Sequence, residues 1–295
     1  MYAHTSETYV KIDGMKTEKK VILITGCSSG FGLLSTVKLS KKHIVYASMR
    51  NLAKKDALLK AVKEVGGKVN LLELDVTKLE SIETAKNIIE EESGRLDVLI
   101  NNAGYAIGGF FEDLSDLEIR AQLETNLFGV MNVTRSLLPL MRKNRGGKII
   151  NISSIAGLMG MPGLGAYNTS KWAIEGFSES LRHELNLFGI KVVLVEPGAF
   201  STNIFTENGK AAANAWNPES PYYKYTKTFL GLVDKIVKNG ANNPQKVVGL
   251  IEKIISKKNP KLRYLVGFDA VSRKFLIRSL PFKWIEKVVA RVIMK

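Results

Sequence analysis

Seven short apolar runs recur along the chain, and they constrain its fold more than any other feature. They read "VILITG", "HIVYASM", "VNLLELDV", "LDVLINNAG", "GKIINISS", "IKVVLVEPG" and "LRYLVG". Each is rich in Val, Ile and Leu, as expected of a strand buried on both faces. The segments between the first six carry apolar residues at helical spacing, as at Ala85, Ile88 and Ile89. Strands and helices that alternate in this way bury their apolar faces as a parallel sheet wrapped on both sides. The prediction is an α/β protein: one domain, a doubly wound parallel sheet of about seven strands with helices on both faces, and a C-terminal helical extension. With 295 residues, 45% of them hydrophobic, the chain can bury one large core or two small ones without metal or disulfide support. The sequence has no repeat or linker to divide it, so one domain over 15–295 is expected.

Residues 1–14 ("MYAHTSETYVKIDG") show no apolar period and precede a second methionine, Met15. They read as a disordered leader or an expression remnant. The single cysteine, Cys27, cannot form an intrachain disulfide, which fits a reducing, cytoplasmic setting. No run approaches the roughly 20 apolar residues of a membrane-spanning helix. The net charge of +15 is uneven: from Glu252 onward, twelve lysines and arginines face only Glu252, Asp269 and Glu286. Beyond this charge no motif supports nucleic-acid binding. Three histidines and one cysteine make a metal site improbable, and Cys27 and His183 read as bystanders.

"TGCSSGFG" (Thr25 to Gly32) follows the first strand and opens a helical stretch. Glycines in that setting permit a tight turn and bring backbone N–H groups close to a pyrophosphate at a helix N-terminus. The spacing Gly26, Gly30, Gly32 departs from the common three-glycine fingerprint, so on this motif alone a plain glycine-bearing loop stays open. The next strand ends "YASMR". An NAD-selective site carries an acid there for the ribose hydroxyls. Here Ser48 stands where an acid is expected and Arg50 follows, and a guanidinium suits a 2′-phosphate. NADP(H) is therefore expected over NAD(H).

"TGCSSGFG", "LDV" (Leu74 to Val76), "NNAG" (Asn101 to Gly104), Asn126 in "TNLFG", "SS" (Ser153, Ser154), "YNTSK" (Tyr167 to Lys171) and "PGAFST" (Pro197 to Thr202) stand in one order and register. Together they resemble the short-chain dehydrogenase/reductase family, in particular its hydroxysteroid and retinol dehydrogenase-like members. The resemblance covers Thr25 to Thr202 and implies a Rossmann-type fold. It assigns cofactor contacts to Gly26, Ser28, Ser29, Gly30, Phe31 and Gly32 in the turn. Ser29 and Arg50 would meet the 2′-phosphate, and Asp75 and Val76 the adenine. Asn102, Ala103 and Gly104 would line the central strand end, Tyr167 and Lys171 would bind the nicotinamide ribose, and Pro197, Gly198 and Thr202 would flank the nicotinamide. Phe31 departs from the family's usual isoleucine and could seat the cofactor differently.

The same resemblance implies a catalytic set of Asn126, Ser154, Tyr167 and Lys171. Reducing a carbonyl by hydride transfer creates alkoxide character that needs a proton donor. A tyrosine with a pKa of about 10 is a poor base near neutral pH. An ammonium one helical turn away, such as Lys171, favours the phenolate and lowers that value. Ser154 would hydrogen-bond the substrate oxygen, and Asn126 would hold a water linking Lys171 to solvent.

Residues 200–240, with Trp216, Tyr222, Tyr223 and Tyr225, read either as a substrate lid or as a surface loop packed on its own aromatics. Met159 and Met161 in "GLMGMPGLG" are candidates for the wall of an apolar pocket. A lipophilic alcohol or carbonyl substrate is expected, such as a steroid, retinoid or fatty-acyl ketone. A 3-oxoacyl-thioester reductase and a non-catalytic nucleotide-sensing protein are the alternatives. The tail, 272–295, contains a basic amphipathic helix after Pro281. It is expected to pack on the domain or a second subunit, with peripheral contact to an anionic membrane as the other reading. The family resemblance implies a homodimer or homotetramer.

Overall fold

The computed structural model describes residues 9–12, 15–144, 146–200, 209–239, 242–268, 270–272 and 279–293. Of the expected leader, residues 1–8 and 13–14 lie outside this set. Strand β1 (Tyr9–Ile12) pairs antiparallel with β2 (Met15–Glu18), apart from the main sheet.

All seven apolar runs become strands of one sheet: β3 (Val21–Ile24), β4 (Ile44–Met49), β5 (Asn70–Glu73), β6 (Val98–Asn101), β8 (Gly147–Ile152), β9 (Ile190–Pro197) and β11 (Arg263–Val266). The order is β11-β9-β8-β6-β3-β4-β5, and every neighbouring pair is parallel. From β3 the chain winds outward through β4 to β5, then crosses back to β6 and winds the other way. The reversal between β3 and β6 opens a crevice at the carboxyl ends of the strands, where ligands of such sheets bind.

Alternate residues of each strand enter opposite cores, which is why the runs lack polar alternation. Val21 and Leu23 pack with α3 (Leu79–Ser93), α5 (Gly129–Lys143) and α6 (Gly165–Leu185), through residues such as Ile89, Leu137 and Leu181. Ile22 and Ile24 pack on the other face with α1 (Gly30–Leu39), α2 (Asp56–Glu64) and α8 (Gln245–Ser256), through Leu39, Leu58 and Ile251. Side chains as enclosed as Leu23 and Leu99 each stabilise the fold by roughly 1.5–3 kcal/mol relative to exposure.

A second, two-stranded pairing was not legible in the sequence. β7 (Ala106–Gly108) runs parallel to β10 (Gly209–Ala211), drawing the segment after β9 over the crevice. Helix α4 (Asp116–Leu123) starts beside it with a reciprocal cap between Ser115 and Glu118. α7 (Tyr223–Asn239) falls within 200–240, and the expected C-terminal helical extension is α9 (Phe282–Ile293). α9 lies against α7 with Ile285 and Val289 half-buried, while Phe282, Trp284 and Val288 are exposed. Among the described residues, no helix is long and apolar enough to cross a membrane.

Candidate active site

The loop after β3 turns through Gly26 at φ +72° and Gly30 at φ +56°, a region that favours glycine. The turn also leaves no room for side chains. A Cβ on Gly26 would meet Ala103 Cα at 2.8 Å, and one on Gly32 would meet Asn102 Nδ2 at 2.6 Å. Asn102 locks this approach by donating through Nδ2 to the carbonyls of Thr25 and Gly26, both at 2.9 Å. The N–H groups of Asn102 and Ala103 both donate to Thr25 Oγ1 at 3.0 Å. "NNAG" and "TGCSSGFG" are thus one unit, and Asn102 holds the turn as well as lining the cleft beside it. Cys27 is fully enclosed beneath, and burial pushes its thiol up to about 12.

The turn forms one wall of a cleft of about 360 Å³ that runs along the strand ends. Ser28, Ser29, Gly30 and Phe31 line it at the start of α1, and Asp75, Val76, Asn102, Ala103 and Gly104 continue the wall. Asp75 Oδ1 accepts from the Thr77 N–H at 3.0 Å and hydroxyl at 2.7 Å, which steadies the loop. Phe31 meets Phe200 edge-on at 5.6 Å, so the ring that replaces an aliphatic residue has a partner within the cleft wall.

The acid-versus-serine comparison at the end of β4 shifts by one position. Ser48 is fully buried and faces away from the cleft, whereas Met49 and Arg50 line it. Alternation puts Ser48 and Met49 on opposite faces of the strand, and Arg50 follows its last residue. The conclusion drawn from Ser48 therefore rests on Met49, which also carries no charge. Lys54, on the short turn Leu52–Lys54, joins Arg50. It was missed in the sequence, although its position four residues after Arg50 was a usable signal.

At the other end of the cleft, β8 and α6 bring Ser154, Tyr167 and Lys171 together. Tyr167 is buried and shares a hydrogen bond with Ser154, whose Oγ also accepts from the Ala156 N–H at 3.1 Å. Lys171 Nζ donates to the Ile152 carbonyl at 2.8 Å and lies 5.7 Å from the Tyr167 ring centre. The expected lowering of the phenol by Lys171 is not found. Burial pushes Tyr167 up to about 12, opposed by the Ser154 hydrogen bond. Burial also brings Lys171 down to about 8, opposed by Glu175. Desolvation of both groups outweighs the attraction expected from their spacing.

Asn126 sits in a π-helical turn, Glu124–Phe128, between α4 and α5. Its Oδ1 accepts from the Tyr105 N–H at 3.1 Å, and its Nδ2 donates to the Tyr105 carbonyl at 2.9 Å and to Ser170 Oγ at 3.2 Å. Ser170 in turn donates to the Tyr167 carbonyl at 2.7 Å. Asn126 therefore ties the end of "NNAG" to the turn of α6 that carries both Tyr167 and Lys171.

Pro197 and Gly198 line the cleft beyond β9, while Thr202 lies outside the described residues. Neither Met159 nor Met161 reaches the cleft wall, and neither do Trp216, Tyr222, Tyr223 or Tyr225. Residues 209–222 instead tie down onto residues 110–118, the loop before α4 and its first turn. Ala213 N–H donates to Glu118 at 2.8 Å, Ser220 to Asp113 at 2.6 Å, and the Tyr222 ring stacks on Phe110 at 4.8 Å. This clamp places Lys210 of β10 over the Tyr105 ring at 5.1 Å and into the cleft. Arg50, Lys54, Lys171 and Lys210 thus face Asp75, the single carboxylate among the described lining residues.

A glycine cradle that any Cβ would fill, a helix N-terminus opening onto the cleft and an excess of cations fit an anionic dinucleotide. Comparisons with known proteins agree with that geometry. A short chain dehydrogenase family model matches residues 20–213. The chain is 44% identical to 3-ketodihydrosphingosine reductase of Bacteroides thetaiotaomicron, over 85% of this chain and 88% of that one. It is 36% identical to human retinol dehydrogenase 8, over 84% and 82% respectively. A short-chain dehydrogenase structure from Streptomyces avermitilis superposes with a TM-score of 0.77 at 34% identity, covering 92% of this chain and 97% of that one. Motif order, sheet topology and these relatives converge: the chain belongs to the short-chain dehydrogenase/reductase family, oxidoreductases that act on CH–OH groups with NAD(P).

Proposed function

We propose that the protein interconverts a lipophilic alcohol with its ketone or aldehyde, using NADP(H), and is built to run as a carbonyl reductase. The observation that carries this reading is the buried, protonated Tyr167 beside Ser154, at the end of a cleft whose other end is cationic around Arg50.

A bound nicotinamide cofactor supplies hydride to the carbonyl carbon. Ser154 Oγ holds the carbonyl oxygen within reach of the Tyr167 hydroxyl. Tyr167 donates its proton as negative charge builds on that oxygen, a task suited to a phenol that stays protonated at neutral pH. Lys171, charged below about pH 8, offsets the phenolate left behind and holds the ribose hydroxyls. Asn126 keeps that turn of α6 in place through Ser170. Gly26 to Gly32 would take the pyrophosphate against backbone N–H groups. Arg50, helped by Lys54 and Ser29, would pair with the 2′-phosphate where Met49 offers no competing carboxylate.

The names of two relatives, a ketodihydrosphingosine reductase and a retinol dehydrogenase, support a lipid-like substrate. The exposed Phe282, Trp284 and Val288 on α9, bordered by Lys283, Lys287 and Arg291, fit contact with an anionic lipid surface that holds such a substrate. A second copy would set the same cations against one another on that face. Self-association, implied by the family, would use other surfaces, for which the exposed Phe128 at the start of α5 and Trp172 on α6 are available.

The direct test follows NADPH and NADH oxidation in parallel against steroid, retinoid, acyl-ketone and acyl-thioester carbonyls. NADPH with a long-chain ketone or aldehyde should give the highest kcat/KM, and a preference for thioesters would favour the 3-oxoacyl-thioester reading. Tyr167→Phe should lose roughly 10²- to 10⁴-fold in kcat with little change in NADPH binding. Unchanged turnover would remove the proton-donor role. Co-sedimentation with vesicles containing anionic lipid should fall several-fold on Trp284→Ser, and equal pelleting of the two proteins would exclude α9 as the contact.

A further inference from the structure

Behind Lys171, on the side of the sheet edge, a cluster of charges is assembled from three elements. Glu175 lies one helical turn beyond Lys171 on α6 and is 5% exposed, while Glu196 on β9 is fully buried. Both carboxylates converge on Arg263 at the start of β11, with Nε 3.1 Å from Glu175 Oε2 and 3.4 Å from Glu196 Oε1. Arg263 Nη2 also reaches Glu179 on the outer face of α6 at 2.7 Å. One guanidinium thus serves three carboxylates.

The stem of Glu175, one turn beyond Lys171, is packed closely against Gly157. Gly157 lies between the end of β8 and α6, where a Cβ would meet Glu175 Cγ and the Lys171 carbonyl, both at 3.0 Å. No side chain separates the two elements there. Glu175 Oε1 is buried and accepts no hydrogen bond. Charge on a carboxylate so enclosed acts strongly on a neighbouring ammonium because little water screens it.

We propose that Glu175 is a positioning residue for Lys171. Fixed by Arg263, it supplies the counter-charge that keeps the lysine an ammonium at the end of the cleft. Glu196 and Glu179 complete the device by drawing on the same guanidinium, so that Arg263 orients Glu175 without cancelling it. The direction of the Glu175 effect on Lys171 agrees with this arrangement, since it opposes burial. The ionisable groups around Lys171 are Tyr167 and Glu175 on its own helix, Glu196 and Arg263 behind Glu175 on β9 and β11, and Asp75, Arg50, Lys54 and Lys210 along the cleft. Glu175 is the carboxylate among them that acts directly on the lysine.

This inference rests on the role given to Lys171 above, and its test separates the two. The pH dependence of kcat/KM for carbonyl reduction and of NADPH affinity, read by fluorescence, is measured for the native chain and for Glu175→Gln, Glu175→Asp and Glu179→Gln. In the native protein the alkaline limb should lie near pH 8. Glu175→Gln should move that limb down by about one pH unit in both readouts, and Glu175→Asp should restore most of it. Glu179→Gln is exposed and spares the core; it should move the limb the same way by a few tenths of a unit, because Arg263 then cancels more of Glu175. A lowered Tm with an unmoved limb in Glu175→Gln would reduce the cluster to a tether for β11 and overturn the proposal. Should Glu175→Gln fail to fold, an unmoved limb in Glu179→Gln has the same force. If Tyr167→Phe is inactive while these limbs stay put, the proton-donor reading survives and only this inference falls.

Discussion

The two ends of the cleft are held by different physics. At the nucleotide end, the turn at Gly26 and Gly32 is fixed by backbone contact with Asn102 and Ala103, and every partner belongs to the sheet or its adjoining loops. At the other end, the segment from Gly209 to Tyr222 is held by a three-residue ladder, side-chain hydrogen bonds to Asp113 and Glu118, and one ring stack. The first arrangement tolerates almost no change in residue size. The second is a set of separable side-chain ties, of which the Ser220–Asp113 bond is buried. A cofactor common to many reactions suits the rigid end, and a substrate that varies among relatives suits the adjustable one.

Three substitutions would break or sharpen this contrast. The largest effect is expected from Gly32→Ala, because the new Cβ would strike the Gly26 carbonyl and Asn102 Nδ2. NADPH affinity should fall at least about 100-fold and stability by roughly 2 kcal/mol or more, measured by cofactor fluorescence and denaturant unfolding. An ordinary affinity would show that the cradle is not where the pyrophosphate sits. Arg50→Gln comes next and leaves the backbone intact. NADPH should bind roughly 10- to 100-fold more weakly, the scale of charge-assisted hydrogen bonds, while NADH binding stays within about twofold. Parallel loss of both would mean that Arg50 does not read the 2′-phosphate. The smallest change is Asp113→Ala at these ties, which removes the acceptor for Ser220 and Asn214. A rise in KM of about 3- to 10-fold with unchanged NADPH affinity is expected. Weakened cofactor binding there would mean that the two ends are coupled.

Each end was legible in the sequence to a different degree. The seven apolar runs became the seven strands of the main sheet because a strand buried on both faces leaves a continuous apolar imprint. Tyr167, Lys171 and Ser154 were readable because one helical turn and one strand end position them, and both are local features. Ser48 was misplaced by one residue because the strand was read without assigning a face to each position. For the aromatics of 200–240 and the two methionines the sequence left a pocket wall and a self-packed surface loop both open, because composition carries no direction for a side chain.

By itself the sequence determined the strand–helix alternation, the glycine turn and the Tyr167–Lys171 spacing, because each depends on residues close together in the chain. Only the tertiary structure decided which distant groups meet there. It joined Asn102 to Gly26, brought Lys210 over Tyr105, and gathered Glu175, Glu196 and Arg263 behind Lys171. It also set the protonation of the site: the spacing of Tyr167 and Lys171 suggested a lowered phenol, whereas the burial imposed by the fold raised it. The physical reason is that desolvation belongs to the whole packed interior, and no short stretch of chain records how much water its neighbours will exclude.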